Sequence, residues 1–222
     1  MISIKNLTKI YGKNENRFYA VNGVDLKINK GEFVAIVGRS GCGKSTLLNI
    51  IGGIDTFDDG EYRFGDADVK NMAHKELTML RRDKIGYIYQ SYNLIDELNC
   101  IDNIELTQGY AGVAPKDRHA RAKELLKKVG LSEKIKSYPA QLSGGQQQRI
   151  AIARAIANHP EVVLADEPTG NLDYSTGIQV MELLKQLNSE GITIVMVTHD
   201  RELLSYASRV VQMLDGKFVQ HF

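Results

Sequence analysis

The chain has 222 residues, with 28 Lys+Arg against 27 Asp+Glu for a formal net charge of +1, and is 43% hydrophobic and 25% charged. That length suits one folded unit with a sizeable core, or one unit with a lobe inserted into it, and the near-neutral balance excludes a nucleic-acid or anionic-membrane partner held by bulk charge. Two cysteines, Cys42 and Cys100, exclude a disulfide framework, and no Cys/His cluster has zinc spacing.

The start, MISIKNLTKIYGK, alternates apolar and polar residues and lacks the apolar run of a signal peptide. Strands are predicted at Met1–Ile10, Arg17–Val21 and Val24–Ile28, then as a continuous apolar run at Phe33–Val37. Leu47–Ile51 reads as a helix, and Glu61–Phe64, after Asp59-Gly60, as another short strand. Helical periodicity follows at His74–Arg82, Asp102–Gln108, Lys116–Val129, Gly145–Asn158, Ser175–Ser189 and Arg201–Ala207. Buried-type strands lie between them at Ile85–Tyr89, Glu161–Ala165, Ile192–Val197 and Arg209–Leu214. Strand, glycine-rich turn, helix, and then apolar strands alternating with helices predict an α/β fold with a parallel sheet. No long strand interrupts residues 91–156, which read as an inserted helical lobe. The longest apolar run, Ile192–Val197, is far below the roughly 20 residues that cross a bilayer, so the expectation is a cytoplasmic chain whose membrane role comes through a partner.

Gly38-Arg39-Ser40-Gly41-Cys42-Gly43-Lys44-Ser45-Thr46 fits G-x-x-x-x-G-K-[ST] between an apolar strand and a helix. Glycines let backbone amides curl around β- and γ-phosphates, Lys44 supplies a charge to them, and Ser45 is placed to ligate Mg²⁺. Val162–Ala165 is an apolar strand that runs into Asp166 and Glu167. Asp166 is expected to hold Mg²⁺ through its water shell, and Glu167 to polarise the attacking water. The site is that of an NTPase. Leu142-Ser143-Gly144-Gly145-Gln146 opens a later helix, and a serine with two glycines at a helix start makes a second anion site. One P-loop and two phosphate-binding helix ends suggest a head-to-tail pair of subunits, with each nucleotide between the P-loop of one and the Ser143 helix of the other.

With a complete LSGGQ, the sequence resembles the ATP-binding subunits of ABC transporters over essentially its whole length. The resemblance implies a single domain, 1–222, with a RecA-like P-loop NTPase core and antiparallel β subdomain (1–90 and 157–222) and a helical subdomain (91–156). It implies ATP and Mg²⁺ as cofactors and hydrolysis to ADP and phosphate. By position, Tyr11 matches the aromatic that stacks on adenine, and Gln90 the loop glutamine that meets Mg²⁺. Asp173 matches the loop crossing the dimer interface, and His199 the switch histidine on the γ-phosphate. Each also has a plainer reading: edge-strand packing for Tyr11, a strand end for Gln90, a helix cap for Asp173, a satisfied loop histidine for His199.

Arg81–Gln90, Gly52–Asp55 (GGID) and Ala165–Asp173 (ADEPTGNLD) resemble the MacB/LolD/FtsE-type subfamily in particular. That resemblance implies a bacterial subunit peripheral on the inner face of the membrane, powering a permease contacted near residues 90–110. The work implied is export of, or resistance to, peptides or drugs, or lipoprotein release. The alternative is an ATP-driven regulatory switch that moves no substrate. The sequence departs from the usual Pro-containing pattern at Asn93–Leu98 and at Glu105–Gln108, and Asp96 and Glu97 are expected to face basic residues of the permease.

Overall fold

The computed structural model describes residues 1–219, apart from the side chain of Glu15. The last three residues of the expected 157–222 segment lie outside it. A four-stranded antiparallel sheet holds β1 (Ile2–Tyr11), β2 (Phe18–Ile28), β4 (Asp59–Phe64) and β5 (Ala67–Asp68) in the order β2-β1-β4-β5. A six-stranded sheet holds β3 (Phe33–Val37), β6 (Ile85–Ile88), β7 (Val162–Asp166), β8 (Thr193–Thr198), β9 (Arg209–Leu214) and β10 (Lys217–Val219), ordered β10-β9-β3-β8-β7-β6. All its pairings are parallel except β10 with β9.

The two predicted strand patterns sort as they should. Every residue of β3 and of β8 is buried, as a parallel strand covered on both faces requires. β1 alternates, but its buried set slips from Ile2 and Ile4 to Leu7 because Asn6 adopts a left-handed φ of 48° and the register shifts there. The two strands expected at 17–21 and 24–28 are one strand, β2, whose break in pattern is a bend at Gly23 rather than an end.

The helices are α1 (Lys44–Ile51), α2 (His74–Lys84), α3 (Cys100–Tyr110), α4 (Pro115–Lys128), α5 (Gly144–Ala155) and α6 (Tyr174–Ser189). Their starts follow local chemistry: Asn99 caps α3 through the Asp102 amide, and Pro115 opens α4 where its missing N–H costs nothing. The helix expected at 201–207 is instead a single 3-10 stretch, Glu202–Tyr206. With Leu203 alone buried and β9 beginning at Arg209, that segment has too little length and too little apolar face for an α-helix.

The six-stranded sheet separates two cores. Phe33, Ala35, Val163 and Ala165 pack with residues of α3 to α6 on one face. Val34, Ile36, Leu164 and Val197 pack with α1 and the antiparallel sheet on the other. The helices α3 to α5, inserted between β6 and β7, therefore share a core with the sheet. Contact is close at Gly86 of β6, where a Cβ would lie 2.3 Å from the Ala155 carbonyl oxygen at the end of α5. Gly86→Ala is expected to lower stability by about 1–3 kcal/mol, read as a fall of several degrees in Tm.

Candidate active site

The loop from Gly38 to Gly43 is wedged between two strands. A Cβ at Gly43 (φ 102°) would lie 1.9 Å from the Ala20 carbonyl oxygen of β2, and one at Gly38 would lie 2.3 Å from the Met213 carbonyl oxygen of β9. Glycine is a steric requirement at both positions. Lys44, the first residue of α1, is buried, and its ammonium donates to the carbonyls of Gly38 (2.9 Å) and Arg39 (3.0 Å). The charge closes the loop into a ring and has no carboxylate partner among the described residues.

Three helix starts carry motifs, and they differ in one respect. Asp173 caps α6, accepting from the Thr176 amide and from the Ser175 and Thr176 hydroxyls. Those bonds, led by Thr176 and Ser175, hold its carboxyl at about 2. Ser143 caps α5 in a capping box: its hydroxyl accepts from the Gln146 amide, and the Gln146 side chain accepts from the Ser143 amide. Only α1 begins on a residue without a side chain, Gly43, leaving its first amides uncapped. An anion has its open seat at α1.

β7 brings the acids to that seat, and β8 the histidine. The Ser45 hydroxyl donates to Asp166 Oδ1 at 2.9 Å. Burial pushes the Asp166 carboxyl up, and so does neighbouring Glu167, against the lowering effects of Ser45 and Lys44. A hydroxyl and a carboxylate, oxygen donors on adjoining elements, fit a hard divalent cation that keeps most of its water. Next in chain, Glu167 is left-handed (φ 43°), and its amide donates to the Val197 carbonyl at 3.0 Å. Such a conformation in a non-glycine residue is sparsely populated and clusters at functional sites. Its carboxylate Oε1 lies 3.1 Å from His199 Nδ1, just past β8. Glu167 and Ser40 line both of two adjoining cavities, one of about 300 Å³ with Tyr11, Lys44 and Ser45, the other of about 680 Å³ with Arg39 and His199.

Tyr11 stands at the mouth of the first cavity with its hydroxyl bonded to Asp55. The Lys9 ammonium bridges to Asp55 at 2.8 Å and sits 5.0 Å from the centre of the Tyr11 ring. Burial pushes the Asp55 carboxyl up, but the Lys9 and Tyr11 hydrogen bonds hold it below the usual carboxylate range. Asp55 and Phe18, 56% exposed on the rim of the same cavity, are site residues that the sequence reading missed. The only signals for them were the GGID stretch and the aromatic pair Phe18-Tyr19.

The structure thus brings together Tyr11, Gly38, Ser40, Gly41, Gly43, Lys44, Ser45, Thr46, Asp166, Glu167 and His199 around the two cavities. Cys42 is buried beneath the loop, its Sγ 2.6 Å from where a Gly38 Cβ would lie. Gln90 instead meets the loop after Glu167. A Cβ at Gly170 would lie 2.8 Å from Gln90 Nε2, and the Gln90 carbonyl accepts from Asn171 at 3.0 Å. Ser143, Gly144, Gly145 and Gln146 line neither cavity. A Cβ at Gly145 would lie 2.1 Å from Thr176 Cγ2, which locks the starts of α5 and α6 together.

A third cavity, a groove of about 500 Å³ between α2, β6, α3 and α5, includes Arg81, Arg82, Tyr89, Asn93, Tyr110 and Arg154 in its lining, which contains no carboxylate. Asp96 and Glu97 are exposed and line no part of it. Glu105 turns to α4, meeting Arg118 at 3.2 Å and His119 at 2.7 Å. Among the described residues no helix is long and apolar enough to cross a membrane.

A family model described as ABC transporter matches residues 21–170. The uncharacterized ABC transporter ATP-binding protein MJ1508 of Methanocaldococcus jannaschii is 49% identical over 220 residues, covering 99% of this chain and 98% of that protein. The macrolide export ATP-binding/permease protein MacB of Mannheimia succiniciproducens is 47% identical over 219 residues. Here the match covers 99% of this chain but 34% of MacB, so the chain spans about a third of that relative. Among solved structures, the dimeric post-hydrolysis state of the ATP-binding cassette MJ0796 with ADP and Pi superposes with a TM-score of 0.91 at 44% identity, covering 99% of this chain and 97% of that one. A second dimeric structure of MJ0796, a bacterial ABC transporter cassette, gives 0.92 at 45% identity, with the same coverage. With the bare start of α1, the Ser45–Asp166 contact and the Glu167–His199 pair at one sheet edge, these likenesses lead to one conclusion: the chain belongs to the ABC transporter family, as an ATP-binding subunit with ATPase activity.

Proposed function

We propose that the chain powers a MacB/LolD-type membrane permease as an ATP-dependent, head-to-tail homodimer on the inner face of the membrane. Its work is export of or resistance to peptides or drugs, or lipoprotein release. The observation that carries the catalytic part is the adjacency of two pairs at the end of the P-loop, Ser45 with Asp166 and Glu167 with His199.

ATP lays its phosphates on the uncapped start of α1, and Lys44 exchanges its two loop carbonyls for phosphate oxygens. The adenine face meets Tyr11, whose ring is fixed by Asp55 and Lys9. Ser45 and Asp166, with Gln90 after closure, would hold Mg²⁺, which when bound neutralises charge on the phosphate oxygens. Glu167 orients a water in line with the γ-phosphorus and takes its proton. His199 holds Glu167 through Nδ1 and keeps its other ring nitrogen for the γ-phosphate.

Dimerisation is supported by what the chain's own site lacks, since the Ser143–Gln146 motif lies off both cavities. MJ0796, its structural neighbour, is a dimer. In a head-to-tail pair, Ser143 to Gly145 of one copy face the γ-phosphate on the other, and Asp173 lies at the crossing. The groove lined by Tyr89, Asn93 and Tyr110 is the seat for the permease, near residues 90–110 as the resemblance implies. Its arginines are already engaged within the chain, Arg82 with Asp83, Arg81 with the Gly53 carbonyl and Arg154 with two carbonyls. The groove therefore offers shape more than free charge, and Asp96 and Glu97, exposed outside it, keep their expected part toward basic residues of the permease.

Glu167→Gln is expected to bind ATP, run as a dimer in size-exclusion chromatography only with ATP, and lose at least about 100-fold in kcat. Rapid turnover by that variant would remove Glu167 from its role. Ser45→Ala should raise the Mg²⁺ needed for half-maximal turnover about tenfold, with a smaller effect on nucleotide binding without metal. Tyr110 is 73% exposed in the groove. Tagged Glu167→Gln should recover an integral protein from solubilised native membranes, and adding Tyr110→Ala should reduce that recovery while leaving ATP binding intact. Recovery of a division-type permease or a kinase complex would favour the regulatory reading over transport.

A further inference from the structure

The guanidinium of Arg154, near the end of α5, donates to the main-chain carbonyls of Tyr92 (2.8 Å) and Asn93. It has no carboxylate partner among the described residues, and burial pushes its pKa down. Tyr92 and Asn93 are consecutive non-glycine residues in the left-handed region, at φ 61° and 49°. Two such residues in a row persist only where something outside the loop holds them. The same loop touches the other end of α5, since a Cβ at Gly144 would lie 2.7 Å from the Tyr92 hydroxyl. It also touches the segment after Glu167: the Tyr92 hydroxyl donates to the Asn171 carbonyl at 3.4 Å, and Asn171 donates to the Gln90 carbonyl at 3.0 Å.

We infer that Arg154 is a positioning residue for ATP hydrolysis: its fork on Tyr92 and Asn93 fastens the Gln90 loop to the LSGGQ helix, so that both move as one body. A planar guanidinium can satisfy two adjacent carbonyls at once, and a lysine ammonium at the same place cannot fork in the same plane. A salt bridge would have held the charge more strongly, but carbonyl acceptors fix the path of the chain itself. Arg154 and Asn93 also line the groove, so a partner seated there would bear directly on the fork. That last step rests on the reading of the groove above; the fork itself does not.

A double-mutant cycle tests it. Arg154→Met, which keeps the aliphatic stem and loses the donors, should lower kcat about tenfold by misplacing Gln90, with the KM for ATP within about twofold of wild type. Neither Tyr92 nor Asn93 lines the nucleotide cavities, which is why the KM should hold. Arg154→Lys should recover part of the loss. In a Gln90→Ala background, Arg154→Met should change kcat by less than about twofold, because the residue it positions is gone. An equal fall in both backgrounds, or a fall in Tm with kcat per folded molecule unchanged, would overturn the proposal. Should Gln90→Ala alone keep full kcat, the role given to Gln90 fails, and amide hydrogen exchange decides the tether separately. Faster exchange at 91–95 in Arg154→Lys with α5 unchanged would uphold it, and unchanged exchange at 91–95 would sink it.

Discussion

The active site hangs on the register of three parallel strands. Val37 of β3 pairs with Thr198 of β8, and Asp166 of β7 with Val197, so the chain leaves all three strands at one edge. Gly38, Glu167 and His199 are the residues that follow. A slip of two residues would carry Asp166 about 7 Å from Ser45. Apolar pattern cannot prevent such a slip, because β3 and β8 are buried on both faces and every residue is equally at home. A polar residue at the start of β8 supplies a pin. The Thr193 hydroxyl accepts from the Gly31 amide, just ahead of β3, at 2.9 Å. A β8 slipped against β3 would lose that hydrogen bond.

Around that edge the chain spends its polar groups unequally. α5 and α6 satisfy their own first turns, while α1 leaves its amides open and buries an ammonium beside them. The result is an open helix start with one buried ammonium beside it, facing the carboxylates of Asp166 and Glu167. Because Lys44 already rests on two carbonyls, the loop is shaped before any nucleotide arrives, and binding replaces one set of oxygen acceptors with a charged one.

What the sequence made legible is what is contiguous in it. The P-loop, the strand ending in Asp166-Glu167 and the LSGGQ helix start each state their geometry within ten residues, through glycine placement and periodicity. The Tyr11–Asp55 and Arg154–Tyr92 contacts join residues 44 and 62 apart, and no local pattern announces either. The expected helix at 201–207 failed because apolar spacing over a few residues does not show that there is a surface to bury it against. Asp96 and Glu97 are adjacent in the sequence and legible as a charge pair, whereas the arginines that line the groove come from α2 and α5 and meet only in three dimensions. The plain reading of Asp173 as a helix cap is what the chain shows by itself, and it leaves an interface role in a pair of chains open to the same loop.

The fixing of Tyr11 carries a consequence for which nucleotide the chain selects. Its hydroxyl is bonded to Asp55 and lies beside the Thr46 hydroxyl, while Phe18 and Ala20 on the same cavity have no side-chain donor or acceptor. A base held against Tyr11, as proposed above, would be gripped chiefly by its flat face. Stacking tolerates any base. In that proposed seating the phosphates, at the open start of α1, would carry most of the recognition.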